Sequence, residues 1–155
     1  MSKFKNIKRK QAVKILYFYI IMATFRTHYD GNLRTTSEHL QSGSKIITDA
    51  PTDNQGKGEA FSPTDMLAVS LATCMLTTIA IKIRNSGFTI DGAEAEATKI
   101  MASDPRRVAG IKIEFKMPPE NYTDEQKKMI EQIAHACPVA LSIHPDLKQE
   151  IIFNY

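Results

Sequence analysis

An apolar helix without a polar face is the feature that most constrains the fold of this chain. Between Met66 and Ile83 nearly every position is apolar, and only Ser, Thr and Lys82 interrupt the run. Such a helix has no side suited to water, so it has to lie at the centre of a core. A chain of 155 residues has little further mass with which to surround it. We therefore expect a homodimer in which two such helices share one core.

Capping residues mark the borders of this helix. Ser62 precedes Pro63, and Asp65 follows at the third helical position, which is the pattern of a capping box with proline in the first turn. Gly87 suits the left-handed conformation in which helices commonly end. The sequence therefore predicts a helix from Pro63 to about Ser86.

Strand-like segments flank this helix on both sides. Turn residues and alternating apolar positions separate them into short strands. The predicted elements, in order, are strands at 23–29, 33–38 and 44–48, the long helix, a hairpin turning at 104–105, a helix at 123–136, a short helix at 138–143 and a strand at 148–154. This order predicts an α+β domain with a mostly antiparallel sheet.

The first 21 residues differ from the rest of the sequence. Residues 1–14 hold six of the 20 Lys and Arg residues and no acid, and an apolar run at 15–21 follows. The run is shorter than the roughly 20 residues of a membrane span, and no small-residue cleavage site follows it. We expect Met22 to be the natural start and 22–155 to form one domain. A real amphipathic appendage or an inefficient signal is the alternative.

The charge outside that segment excludes one class of partner. Without its six basic residues the chain carries 14 basic and 17 acidic residues, a net charge of −3. A mildly acidic domain gives no reason to expect nucleic acid as a partner, and no membrane partner is expected either. Two cysteines without a convincing secretory signal indicate a reducing compartment, so we expect a cytoplasmic protein.

The only two cysteines lie in unlike settings. Cys74 is inside the apolar helix, whereas Cys137 directly precedes Pro138 at the start of a short helix, where unpaired amides favour a thiolate. In a reducing compartment a disulfide between them would be transient and catalytic rather than structural. Two ordinary buried thiols are the alternative, since that is the commoner fate of intracellular cysteine.

Two segments around these cysteines match a known family. They are Ser62-Pro63-Thr64-Asp65-Met66-Leu67-Ala68 running to Ala72-Thr73-Cys74, and Cys137-Pro138-Val139. With the matching order of strands and helices, the chain resembles the OsmC/Ohr family of hydroperoxide-reducing proteins over essentially all of 22–155. The resemblance implies an intertwined homodimer with antiparallel sheets wrapped around buried central helices. It also implies that Cys74 is peroxidatic and that Cys137 resolves its sulfenic acid as a disulfide.

Two departures from the best-characterised branch of the family concern the groups around the peroxidatic cysteine. In that branch an acid follows the proline immediately, whereas here Thr64 does, and Asp65 comes one residue later. In that branch an arginine precedes the first Asp-Gly turn, whereas here Tyr29 does, and the nearest arginine is Arg34. The resemblance is therefore to an OsmC-like subgroup.

Peroxide cleavage by Cys74 requires a thiolate. An apolar helix interior disfavours the charged form, and the dipole contributes little in mid-helix, so a cation has to reach the sulfur. Arg34 is the best candidate, and Asp65 could orient it through a two-pronged carboxylate contact. The alternatives are that Asp65 only completes the capping box and that Arg34 is an ordinary surface residue.

The function that follows is a thiol-dependent peroxidase for organic hydroperoxides, without metal, cofactor or prosthetic group. A cellular dithiol would reduce the Cys74–Cys137 disulfide. A metal site at His135, Cys137 and His144 is not expected, because 135 and 137 do not share a helix face and no fourth ligand is suitably spaced. Instead, His135 is expected to line a pocket and His144 to end a helix. The alternative function is a non-catalytic dimer that binds a small apolar ligand.

Overall fold

The computed structural model describes residues 23–155. The predictions that concern residues 1–21 and Met22 as the natural start therefore lie outside the described residues. The chain divides into two compact units, Met1–Ala60 and Phe61–Tyr155.

The described part of the first unit is a three-stranded antiparallel sheet. Its strands are β1 (Phe25–Gly31), β2 (Arg34–His39) and β3 (Lys45–Asp49), with β2 in the centre. Polar side chains pair across the strands, as between Thr35 and Thr48, whose hydroxyls lie 2.7 Å apart. Within 23–60 the buried residues are Thr48 and Asp49, both polar. This sheet therefore has no apolar core of its own.

The second unit combines three helices with a second three-stranded sheet. The elements are α1 (Pro63–Ile83), β4 (Glu94–Ser103), β5 (Arg106–Lys116), α2 (Asp124–His135), α3 (Pro138–Ser142) and β6 (Lys148–Asn154). The central strand β5 is antiparallel to β4 and parallel to β6. The α+β class and the order of elements are as predicted, with mostly antiparallel pairing.

Helix α1 begins as the sequence predicts. The Ser62 hydroxyl accepts a hydrogen bond from the Asp65 amide, and the Asp65 carboxylate accepts one from the Ser62 amide, so the capping box is complete. The helix ends at Ile83, about one turn earlier than predicted, and Gly87 follows with a φ of 78°. A positive φ there is accessible to glycine at little cost.

The core of the second unit is formed around α1. One side of α1 packs with β5, α2 and the start of α3. The buried side chains are Ala68, Leu71, Ala72, Met75, Ile79 and Ile83 of α1, Ile111, Ile113 and Phe115 of β5, Ile130 and Ala134 of α2, and Cys137. The predicted alternation of β5 is confirmed. Ala95 and Ala97 of the edge strand β4 are exposed.

Helix α1 is also the one helix within 23–155 that is long and apolar enough to cross a membrane, with a mean hydropathy of 1.9. It contacts α2, α3, β4 and β5, which is the environment of a core helix. Its other side is open in the single chain: Thr73 and Thr77 are exposed, and Ile81 is 56% exposed.

Candidate active site

Cys74 lies in the middle of α1 and is half-buried. Its side chain packs against the core, and its Sγ lies 3.9 Å from Oγ1 of Thr78, one helical turn later. Residues four apart share a helix face, so this contact follows from the sequence spacing.

Cys137 occupies the N-cap of α3. Its Sγ accepts a hydrogen bond from the Ala140 amide at 3.4 Å, and Pro138 takes the first helical position, as predicted. Cys137 is 0% exposed. The Cys74 thiol is one of the groups that raise the pKa of Cys137, so the two thiols are neighbours in the fold. Both thiols are free. The fold thus brings two unbonded cysteines, 63 residues apart in the sequence, into the same region.

The environment of Cys137 opposes its ionisation. Burial raises the pKa of the Cys137 thiol above its ordinary value, the Ala140 amide lowers the pKa by less, and the neighbouring Cys74 raises it further. The N-cap position by itself predicts only the favourable effect of the amides on the Cys137 thiolate. Desolvation dominates because the sulfur is enclosed by core residues.

An apolar cavity of about 450 Å³ adjoins α3. Its walls come mainly from α3 and the segment that follows it, with one residue from α1. The lining residues are Leu67, Pro138, Val139, Ser142, Ile143, His144 and Leu147. His144 contributes to this cavity, whereas His135 is exposed at the end of α2. His144 directly follows Ile143, the C-cap of α3, so it lies at a helix end as expected. A pocket role for His135 stays a prediction.

Lys99 of β4 binds the start of α1. Its Nζ lies 2.7 Å from Oδ1 of Asp65 and 2.9 Å from the hydroxyl oxygens of Ser62 and Thr64. Ser62 is 1% exposed, and it also contacts Oδ2 of Asp65 through its amide and hydroxyl. Both carboxylate oxygens of Asp65 are therefore engaged. Lys99 could not be predicted as a partner of Asp65, because nothing in the sequence shows that β4 passes the N-terminus of α1.

The hydrogen bonds to Asp65 keep it ionised. Burial alone would raise the pKa of Asp65, but the bonds from Lys99 and Ser62 outweigh it and hold the pKa below its ordinary value. The capping role weighed for Asp65 is therefore confirmed. An orienting role toward an arginine stays a prediction.

Arg34 belongs to an ion cluster of the first unit. Its guanidinium makes a two-pronged contact with Asp49, at 2.6 and 2.7 Å, and its Nη2 lies 2.8 Å from Glu59. Asp49 is only 4% exposed in its side chain, and the Arg34 guanidinium lowers the pKa of this carboxyl. The two-pronged contact of Arg34 is thus made with Asp49, and the contact expected from Asp65 stays a prediction. Whether Arg34 serves Cys74 stays a prediction.

Within residues 23–155, the side chains of His, Cys, Asp and Glu form no group of three that could hold a metal ion. His144 has Asp146 as its polar neighbour: its Nδ1 accepts a hydrogen bond from the Asp146 amide at 3.2 Å.

These features define an α+β protein built around a central helix, with two neighbouring thiols. A family model described as OsmC-like protein matches residues 56–151. The chain therefore belongs to the OsmC-like family, as the sequence analysis expected.

Solved structures extend this comparison. The chain is 53% identical to a candidate osmotic stress induced and detoxification response protein from Psychrobacter arcticus, with a TM-score of 0.82 over 86% of this chain and 96% of that chain. An organic hydroperoxide resistance protein from Legionella pneumophila is 14% identical, with a TM-score of 0.69 over 87% and 98%.

A candidate organic hydroperoxide resistance protein from Vibrio cholerae, with captopril bound in one of its active sites, is 16% identical, with a TM-score of 0.67 over 86% and 92%. At these lower identities the likeness shows the fold alone. The search of curated proteins gave no match.

Proposed function

We propose that this protein is a thiol-dependent peroxidase that reduces organic hydroperoxides through Cys74 and Cys137. The observation that carries this proposal is that two free thiols from α1 and α3 are neighbours, since Cys74 raises the pKa of Cys137. The hydroperoxide resistance proteins among the structural relatives have the same fold, which agrees with this activity.

The different burial of the two thiols supports their assignment. Cys137 is 0% exposed, whereas Cys74 is half-buried, so a peroxide from solvent meets the Cys74 sulfur first. Cys74 is therefore the peroxidatic residue of the proposal, and Cys137 the resolving one.

The reaction consists of two sulfur-centred displacements. The Cys74 thiolate attacks the hydroperoxide, so that an S–O bond forms, the O–O bond breaks, and the alkoxide takes a proton and leaves as an alcohol. The Cys137 thiolate then attacks the Cys74 sulfenic acid, so that the S–S bond forms, the S–O bond breaks, and the hydroxide takes a proton and leaves as water. A cellular dithiol supplies two electrons by thiol–disulfide exchange and restores both thiols.

The attack of Cys137 on the Cys74 sulfenic acid is accelerated by the proximity of the two sulfurs. The raised pKa of Cys137 lowers its thiolate fraction, which by itself slows attack on the sulfenic acid. Because the two thiols are already neighbours, the reaction needs no diffusional encounter, and positioned groups reach very high effective concentrations. Proximity thus compensates for a poorly ionised nucleophile.

The proposed active form is a cytoplasmic homodimer. Its support is the open side of α1, and the exposure of Phe25, Tyr29 and Ile46 on a sheet that has no core of its own. In this dimer Arg34, held by Asp49 and Glu59, is the cation proposed to stabilise the Cys74 thiolate.

Peroxide consumption tests this function. Reduced protein is mixed with cumene hydroperoxide, and turnover is compared with a dithiol and with a monothiol as reductant. Cys74→Ser is expected to abolish turnover, because the nucleophile is lost. Cys137→Ser is expected to react once and then over-oxidise at Cys74, because nothing resolves the sulfenic acid. A Cys74→Ser variant that consumes peroxide as fast as the parent would refute the mechanism.

A second candidate function is the non-catalytic binding of a small apolar ligand. The cavity beside α3 favours it, since 450 Å³ lies within the range of small-molecule sites. Titration with a medium-chain alkyl alcohol separates the two functions. Saturable binding by a parent protein that consumes no peroxide would favour this candidate over the peroxidase.

A further inference from the structure

We propose that Thr78 is a further catalytic residue, whose hydroxyl donates a hydrogen bond to the Cys74 sulfur and stabilises its thiolate. This inference deepens the proposed function and rests on it for the reaction that Thr78 would assist. The contact between the two side chains is independent of that function.

The geometry places the hydroxyl beside the reacting atom. Thr78 follows Cys74 by four residues on α1, so the two side chains share a face of the helix. The Oγ1–Sγ distance is 3.9 Å, within reach of a hydrogen bond to sulfur, and both residues are half-buried.

The other hydroxyls in the middle of α1 behave differently. Ser70, Thr73 and Thr77 each donate to the backbone carbonyl three or four residues earlier, with distances of 2.8, 2.8 and 2.9 Å. That is the usual arrangement for Ser and Thr inside a helix. The carbonyl four residues before Thr78 belongs to Cys74 itself, yet the contact of the Thr78 hydroxyl is with the Cys74 sulfur. Thr77 also lies 3.2 Å from the Cys74 carbonyl oxygen, but of these four hydroxyls only that of Thr78 contacts the Cys74 sulfur.

Ionisation of Cys74 fixes the direction of this hydrogen bond. In the thiol form either atom can donate. A thiolate has no proton and only accepts, so the Thr78 hydroxyl has to turn its hydrogen toward the sulfur. Hydrogen bonds to an ionised acceptor are shorter and about twice as strong as neutral ones, and a half-buried setting strengthens them further. The contact consequently stabilises the reactive form more than the resting form.

The test isolates Cys74 by working in a Cys137→Ser background. This substitution removes the titratable group from α3 that interacts with Cys74. Thr78→Val keeps the shape of the side chain and removes its hydroxyl, Thr78→Ser keeps the hydroxyl, and Thr77→Val is the matched control at the adjacent position. Iodoacetamide alkylation and oxidation by cumene hydroperoxide are each followed against pH.

With Thr78→Val, we expect the midpoint of the alkylation profile to move to higher pH and the rate at pH 7 to fall about tenfold, because a charge-assisted hydrogen bond is lost. The plateau at high pH is expected to stay unchanged. Oxidation by the peroxide is expected to slow in parallel. Thr78→Ser and Thr77→Val are expected to match the parent.

An unchanged profile for Thr78→Val overturns the inference, as does an equal change in Thr77→Val. Thermal melts check that each variant is folded, and Thr78→Ala replaces Thr78→Val if the latter is not. Alkylation needs no peroxidase activity. If Thr78→Val changes the alkylation profile while the parent protein consumes no peroxide, the proposed function fails and the role of Thr78 in ionising Cys74 stands.

Discussion

The two units of this chain are stabilised in different ways. The second unit has a continuous apolar core, formed around α1 and β5. Within 23–60 the first unit buries only Thr48 and Asp49, and its sheet is held by cross-strand hydroxyl pairs and by the Arg34 ion cluster. Small sheets need an apolar face to be stable. The described part of the first unit therefore has no apolar core of its own, whereas the second unit contains one.

The largest expected effect comes from separating the first unit. A peptide of residues 23–60 is expected to be unfolded, because the sheet buries no apolar side chain within that segment. Circular dichroism and amide chemical-shift dispersion measure this directly. A dispersed spectrum with β-sheet character would show that the polar cross-strand pairs are enough to fold this sheet. The two units would then not differ in their need for an apolar core.

Core truncation in the second unit is expected to have the next largest effect. Leu71→Ala creates a cavity at a residue that is 0% exposed, so the free energy of unfolding should fall by about 2–5 kcal/mol. Leu141→Ala is the matched control, because Leu141 is 74% exposed and its truncation should change the free energy little. Urea denaturation of both variants compares them. Equal losses would contradict the core described here.

In the first unit, Arg34→Met is expected to loosen the loop that precedes α1. The substitution leaves the carboxylate of Asp49 buried without its guanidinium partner and releases Glu59. Tryptic cleavage after Lys57, which lies within this loop, should accelerate several-fold in the folded protein. Arg26→Met, at an exposed position of β1, is the control. Unchanged cleavage would show that the ion cluster does not restrain the loop.

The smallest effect concerns the cap of α1. At pH 7 Asp65→Asn should lower the free energy of unfolding by about 1 kcal/mol, because the capping box and the Lys99 pair are weakened. The pKa of Asp65 is lowered in the folded state. The contribution of the Asp65 carboxylate to the free energy of unfolding is therefore complete above the ordinary pKa of 3.8. It disappears as the pH falls through the lower pKa of the folded state.

The difference in stability between the parent protein and Asp65→Asn should accordingly become smaller at acidic pH. Asp91→Asn, at an exposed position, is the control for general charge effects. Thermal melts from pH 7 to pH 2 follow both variants. A difference that grows in acid would contradict the lowered pKa.

Much of this architecture follows from local sequence signals. The continuous apolar run predicts α1 as a core helix, the Ser62 capping box marks its start, and Pro138 places Cys137 at an N-cap. These signals act within a few residues, so the sequence alone displays them. The fold class and the family were predictable for the same reason.

The contacts that could not be predicted join residues far apart in the sequence. Lys99 reaches Asp65 across β4 and α1, and the Arg34 guanidinium is bound by Asp49 from the neighbouring strand. The enclosure of Cys137, which raises its pKa, depends on the whole core. Strand register and the packing of the helices determine these contacts, and no local sequence pattern predicts them.

Mapping the disulfide tests the central claim most directly. Reduced protein receives one equivalent of cumene hydroperoxide, free thiols are blocked with iodoacetamide, and tryptic peptides are weighed by mass spectrometry. We predict one linked species that joins peptide 58–82, which holds Cys74, to peptide 129–148, which holds Cys137. Recovery of the two peptides unlinked, with both thiols alkylated or with Cys74 over-oxidised, would contradict a two-cysteine cycle.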